Sequence, residues 1–220
     1  MPVMKVGPGR ALIYGDTNPW WDPNAENLSV WAAYQPEGAA SFAASLLDLS
    51  GNGNNATDPG GANTPAWDTV NGWKPVGGQY LITAFTPQND QSQTILIKFS
   101  NYTAGNTWIA GVSSGANCVF AIAPAYAGAI RYYNGQLLAP SLAVVAATLG
   151  VAGSQGYRNG VADGGAIGAW AGASGFPLWL LALNNLGVLA GGCTAYIQRV
   201  AIYDTVLTAP QMAAVTAGMA

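Results

Sequence analysis

YIQRVAIYDTVLTAPQMAAVTAGM, residues 196–219, carries two periods one after the other. Tyr196, Gln198, Val200, Ile202 and Asp204 fall on one side of an extended strand, and Ile197, Arg199, Ala201 and Tyr203 on the other. Thr208 then opens a short helix. Thr208-x-x-Gln211 has the form of a capping box, in which the hydroxyl takes the Gln211 amide hydrogen and the Gln211 side chain returns to the Thr208 amide. Pro210 falls in the first turn, where no amide hydrogen is needed. Met212, Val215 and Met219 follow at helical spacing. The chain therefore closes with a strand and a capped amphipathic helix.

Upstream, short apolar runs alternate with turn chemistry. LSVWAAY (28–34) reads as a strand, and 41–47 as a helical turn or an irregular strand. LLDLSGNGNNAT (46–57) runs into a loop where Gly51, Gly53 and the asparagines allow positive φ. Further strands are expected near 80–84, 94–99, 108–112, 119–123, 129–133, 142–148 and 178–183. Tyr157-Arg158-Asn159-Gly160-Val161 is the strongest hairpin signal, because Asn-Gly suits the type I′ turn that matches strand twist. About a dozen strands with turns every 8–12 residues indicate an all-β sandwich or jelly roll. Residues 1–27, rich in Pro, Gly and Asn, read as an ordered arm or edge segment, and 28–220 as one domain without a linker.

These landmarks, taken in order, resemble the laminin-G-like, concanavalin-A-like jelly-roll family. SVWAAY followed by DLSGNGN resembles the opening strand and its loop. PAWDTVNGWKPVGGQYLIT (65–83) resembles the segment leading to the next strand, and TILIKFSNYT (94–103) the long strand crossing the sheet. LAVVAATLG and YRNGV resemble the pair around the family's Y-x-N-G hairpin, and 196–215 its closing signature. The resemblance runs from Leu28 to the end. It implies a concanavalin-A-like jelly-roll β-sandwich with a short C-terminal helix. The low-charge, Ala/Gly-rich second half also resembles such domains in bacteriophage structural proteins. That implies a virion or extracellular surface location, with a homo-oligomer or larger virion assembly as partner.

Composition bounds the functions. Half of the 220 residues are apolar, and only 8% are charged, against roughly 25% in an average soluble chain. Three basic and eight acidic residues precede Gln91, leaving −5; four basic and two acidic follow, leaving +2, for a net −3. Neutralising phosphates takes clustered Lys and Arg, so nucleic acid is not an expected partner. A surface this poor in charge is either neutral and solvated or partly covered by neighbouring subunits. Cys118 and Cys193 are too few for a disulfide framework, and free thiols are the expectation. With no histidine, a Cys/His zinc site is excluded. The first fifteen residues lack the apolar run of a secretory signal. The uncharged stretches 137–153 and 176–193 are short or interrupted, so no membrane insertion is expected.

For chemistry, the only glutamates are Glu26 and Glu37; no two carboxylates stand at i, i+2, and Asp22 with Glu26, in the Pro- and Asn-rich arm, is the one pair at i, i+4. Glycoside hydrolysis needs a paired set, so the chain reads as non-catalytic. Calcium is the one candidate cofactor: Asp48, Asn52, Asn54, Asn55 and Asp58 offer oxygens in one loop, although two carboxylates make a poor set. The alternative is a turn whose Asx side chains bind their own backbone. A glycan or polysaccharide ligand needs an aromatic platform beside planar polar groups. Trp20, Trp21, Trp67, Trp73, Trp108, Trp170 and Trp179 are available for it. Trp170, in the loop 164–175, is the first candidate, and the Trp20-Trp21 pair the second. For both, packing against the domain or a neighbour is the competing reading. Two functions remain: a virion- or cell-surface recognition and adhesion module that binds a glycan, or a capsid or tail decoration protein.

Overall fold

A computed structural model describes residues 18–24, 26–88, 90–103, 105–115, 118–169 and 175–220. The strands in chain order are β1 (Val30–Tyr34), β2 (Ala66–Asp68), β3 (Gly72–Lys74), β4 (Leu81–Ile82), β5 (Thr94–Ser100), β6 (Ala110–Ser113), β7 (Cys118–Tyr126) and β8 (Ala129–Asn134). They continue with β9 (Gln136–Leu138), β10 (Ala147–Ala152), β11 (Gln155–Arg158), β12 (Val161–Ala166), β13 (Trp179–Leu180), β14 (Leu183–Asn185), β15 (Val188–Ala190) and β16 (Tyr196–Tyr203). Among the described residues two α-helices, α1 (Phe42–Ser45) and α2 (Ala209–Gly218), and one 3-10 turn (Gly61–Asn63) accompany them.

The strands form two sheets. One runs β12-β11-β10-β5-β16-β3-β2, with β1 also paired to β16. The other runs β15-β14-β6-β7-β8-β9, with β13 joining β6 to β4. All pairings are antiparallel except β14 with β6. The result is the all-β sandwich with a short C-terminal helix expected from the sequence. Its main core lies between the sheets and contains Trp73, Phe99, Phe120, Ile122, Tyr132, Val200 and Ile202. α2 lies on the outer face of the first sheet, where Met212, Val215 and Met219 pack with Leu96, Ala201, Tyr203 and Trp21. The Gln211 side chain accepts from the Thr208 amide at 2.8 Å, closing the capping box. At the other end of the helix, Arg199 Nη1 donates to the Gly218 carbonyl at 2.6 Å, where a cation favours the unpaired C-terminal carbonyls. No helix of the described residues is long and apolar enough to cross a membrane.

Three expectations need correction. In β16 strict alternation fails at its start. The register slips between Ile197 and Arg199, so Ile197 joins Val200 and Ile202 in the core between the sheets instead of sharing a side with Ala201. The apolar run 142–148 is mostly a crossover. Leu142 bridges Ala129 in one sheet, and the strand itself, Ala147–Ala152, belongs to the other. Beyond that single bridge the segment pairs with no strand until β10, and Leu142 and Val145 stay exposed. The run 178–183 breaks at Leu181, whose φ of 71° separates β13 from β14. The Asn159-Gly160 turn has positive φ at both residues, as a type I′ hairpin requires.

Three tyrosines carry hydroxyls into the interior. Tyr34 donates to the Asn54 carbonyl at 2.6 Å, Tyr132 to the Tyr157 carbonyl at 2.9 Å, and Tyr203 to the Trp21 carbonyl at 2.7 Å. Burial pushes all three phenols above their ordinary range, with lesser contributions from the charges of Asp48, Asp163 and Asp22 respectively. A raised phenol pKa favours the fold fully below the unfolded value near 10, and that stability is lost as pH rises above it. In an alkaline titration the phenolate absorbance of these three is expected to appear in one step with the loss of circular dichroism. Smooth ionisation of every tyrosine with the fold intact would contradict the burial argument.

Candidate functional site

The loop D-x-S-G-N-G-N finishes the free edge of β1. An edge strand presents unpaired N–H and C=O groups, and here the loop supplies their partners. Asp48 Oδ1 accepts from the Ala33 amide at 3.0 Å, and the Leu49 amide donates to the Ala33 carbonyl at 2.8 Å. Asn52 Nδ2 donates to the Val30 carbonyl at 2.7 Å, and Asn54 Nδ2 to the Trp31 carbonyl at 2.6 Å. The Asp48 carboxylate also holds the loop itself. Oδ1 accepts from the Ser50 amide at 2.9 Å, and Oδ2 accepts from Ser50 Oγ at 2.8 Å and the Asn54 amide at 3.2 Å. Gly51 and Gly53 adopt the positive φ that this tight path demands.

Beside this loop, at the end of the sandwich where β1 begins, lies a shallow open groove of about 460 Å³. It is lined by Ser29, Trp31, Ser50, Asn52, Asn54 and Asp204, together with Leu28 and Val30. Three parts of the chain build it: the start of β1, the loop, and the residue that follows β16. Asp204 is exposed, and its Oδ1 accepts from Ser29 Oγ at 2.6 Å. Trp31 is half-buried; its ring meets Phe85 edge-on, with centroids 5.2 Å apart, so one flank is fixed by the core. The two asparagine amides are fixed by their Nδ2 groups, which leaves Oδ1 as the uncommitted atom of each. Among the described residues the uncommitted oxygens of Asn52, Asn54 and Asp204 are therefore acceptors, beside one remaining N–H on each Nδ2.

The residues singled out from the sequence fall in different places. Asn52 and Asn54 line the groove, while Asp48 lies behind them as the anchor of the loop. Asp58 belongs to the next turn, where Oδ1 accepts from the Gly60 amide at 3.0 Å and from Thr64 Oγ1 at 2.8 Å. Asn55 Oδ1 accepts from the Asp48 amide at 2.8 Å. A cation at either carboxylate would have to displace donors of its own turn. Among the described residues no group of three or more His, Cys, Asp or Glu stands close enough to hold a metal. Calcium chemistry therefore has no support in this donor set.

Trp170 lies outside the described residues. Trp20 and Trp21 meet edge to face, with centroids 5.4 Å apart. Trp21 packs with α2, Trp20 flanks the same cluster, and the Trp20 Nε1 is shielded from solvent. Both rings thus serve the packing of the arm on the helix. Trp73 is wholly buried, Trp67 donates to the Pro36 carbonyl, and Trp179 stacks on Tyr80 at 3.9 Å. Trp31 was not among the candidate platforms. In sequence it reads as one more apolar residue of a strand. Its only signal is its place at the strand's start, the end of the sandwich where loops gather. Asp204 likewise reads as the end of a strand face, and nothing in its neighbours ties it to residue 31.

No family model matches the chain, and no curated protein sequence matches it. Solved structures do. A sialidase of Trypanosoma rangeli aligns with TM-score 0.56 and 12% identity over 86% of this chain and 32% of its own. The same enzyme with 2,3-difluorosialic acid, a covalent intermediate, aligns at 0.57 and 12% over 86% and 33%. Domain 4 of AbnA, an extracellular arabinanase from Geobacillus stearothermophilus solved with arabinotriose, aligns at 0.56 and 16% over 87% of this chain and 100% of the domain. The chain spans about a third of the sialidase chains and the whole of the arabinanase domain. At these identities the likeness is one of fold.

Proposed function

We propose that the protein is a non-catalytic recognition module, displayed at a virion or cell surface, that binds a saccharide unit of a polysaccharide or surface glycan in the Trp31 groove. The observation that carries this reading is the pairing of an indole flank with three uncommitted acceptors, on Asn52, Asn54 and Asp204. A ligand rich in hydroxyl donors, with an apolar C–H face for the ring, complements such a lining. One carboxylate lines the groove, whereas glycoside hydrolysis uses two, and this supports binding without turnover. The arabinanase domain was solved with a trisaccharide, and the fold likeness makes arabinotriose the first probe.

A second reading, a structural decoration subunit, draws on one observation. Val70, Val76, Leu142, Val145 and Val161 are each more than two-thirds exposed on a surface with few charges. Calorimetric titration with arabinotriose and a neutral glycan panel, on a sample first sized by light scattering, separates the two. The recognition reading expects binding that Asp204→Ala weakens about tenfold or more, the loss of a hydrogen bond to a charged group, while the melting temperature holds. A stable oligomer that binds none of the panel would replace it with the structural reading.

A further inference from the structure

The outer face of the second sheet carries a cation that no carboxylate of the described residues pairs. β8 sends Ile130, Tyr132 and Asn134 inward, and Arg131 and Tyr133 outward over Ala123 and Ala121 of β7. Those alanines are wholly buried although they face away from the main core, because Trp108, Tyr126 and Tyr133 roof them. The Trp108 ring lies 5.1 Å from Tyr126 and 5.5 Å from Tyr133. The Arg131 guanidinium sits 4.3 Å above the Tyr126 ring. Lys74, Lys98 and Arg199 each face a carboxylate within 4 Å, at 2.8, 3.7 and 3.8 Å respectively. Arg131 has no such partner among the described residues, and its Nε is buried with no hydrogen-bond acceptor.

We infer that this face is a second ligand site, separate from the Trp31 groove, and that it takes an acidic saccharide through the carboxylate of its sugar ring. The guanidinium fork matches a carboxylate, and partial burial against aromatic rings strengthens its attraction for an anion relative to water. The partly exposed Tyr126 and Tyr133 rings beside it, backed by the buried Trp108, suit the C–H face of the same sugar. A neutral saccharide would leave the cation uncompensated, so the site selects for charge. The groove and this face lie on different elements, so failure at one says nothing of the other.

The test titrates the intact protein with trigalacturonate, with its methyl ester, and with sialyllactose as the other source of a sugar carboxylate. Amide chemical shifts locate the ligand. The expected result is binding of at least one acidic probe, with shifts at 126–133 and none at residues 50–54 or 204. Arg131→Gln weakens it at least about tenfold with the melting temperature retained. In the wild-type protein, which needs no variant to fold, the trigalacturonate methyl ester binds at least about tenfold more weakly than the acid, should that acid be the probe that binds. Three results overturn the inference: no acidic probe binding at millimolar concentration, ester and acid binding alike, or an affinity that Arg131→Gln leaves unchanged.

Discussion

Replacing Gly72 by alanine is expected to cost the fold about 4 kcal/mol and lower the melting temperature by roughly 10 °C. Gly72 opens β3 directly after the turn that follows Asp68, at φ +77°. An alanine there pays roughly 1–2 kcal/mol for the left-handed backbone alone. The larger part comes from the neighbouring strand. A Cβ on Gly72 would stand 2.2 Å from the Ile197 carbonyl oxygen and 3.2 Å from Pro36 Cγ. A carbonyl in the hub strand β16 cannot rotate away as a side chain does, so β3 must move. That breaks the Trp73–Ile197 pairing and draws the wholly buried Trp73 from its place, where Nε1 donates to Ser45 Oγ at 2.8 Å. Gly128 supplies the control. It has φ +82°, in the turn between β7 and β8, with open space around the same position. Gly128→Ala should cost only the backbone share. Calorimetric melts of the two variants that agree within about a degree or two would show that the contact with Ile197 is not what fixes residue 72 as glycine.

The closing strand and helix are legible because strong local rules agree there: alternation, a capping pair and helical spacing. Thr208, Gln211, Met212, Val215 and Met219 all take the places that those rules assign. The Asn159-Gly160 turn is legible for the same reason. What local rules miss is set by distant neighbours. Nothing in Ile197-Gln198-Arg199 announces that the register slips there; the slip is defined against β5. Leu142 and Val145 have strand-forming side chains, yet their segment is spent crossing from one sheet to the other. The short strands β2, β9 and β15 have only three residues each and exist because β3, β8 and β14 respectively pair with them.

The candidate site divides in the same way. The loop 48–55 is visible as a motif, and its asparagines are visible as polar groups. Their alternatives, ligand for calcium or brace for the backbone, look identical until the partner atoms are known. Trp31 and Asp204 are far apart in the chain and meet only because β1 pairs with β16, Val30 opposite Tyr203. That pairing is a property of the sheet, and a single sequence does not print it.

Asp48→Ala is the second substitution with a large expected cost, about 3 kcal/mol or more. The carboxylate accepts four hydrogen bonds, three from main-chain amides, at Ala33, Ser50 and Asn54, and one from Ser50 Oγ. Hydrogen bonds to a charged acceptor contribute about 1.5–3 kcal/mol each, and because they share one group their losses do not add in full. Alanine orphans the Ala33 amide on the strand edge and the two amides that shape the loop. Asp48→Asn keeps one carbonyl oxygen and should cost about half as much. The same variants separate the two readings of the loop. If the asparagines brace β1 and bind no metal, millimolar calcium and chelator leave the wild-type melting temperature where it is, and Asp48→Ala falls equally with and without calcium. A calcium-dependent rise in the wild-type melt, abolished by Asp48→Asn, would mean that the carboxylate gives up amide partners to a cation. The expected coupling to function is indirect. Asp48 does not line the groove, but it holds the Asn54 amide, and Asn54 lines it. Loosening that hold should weaken saccharide binding in a variant whose groove residues are all intact, and restoring part of it with asparagine should restore part of the affinity.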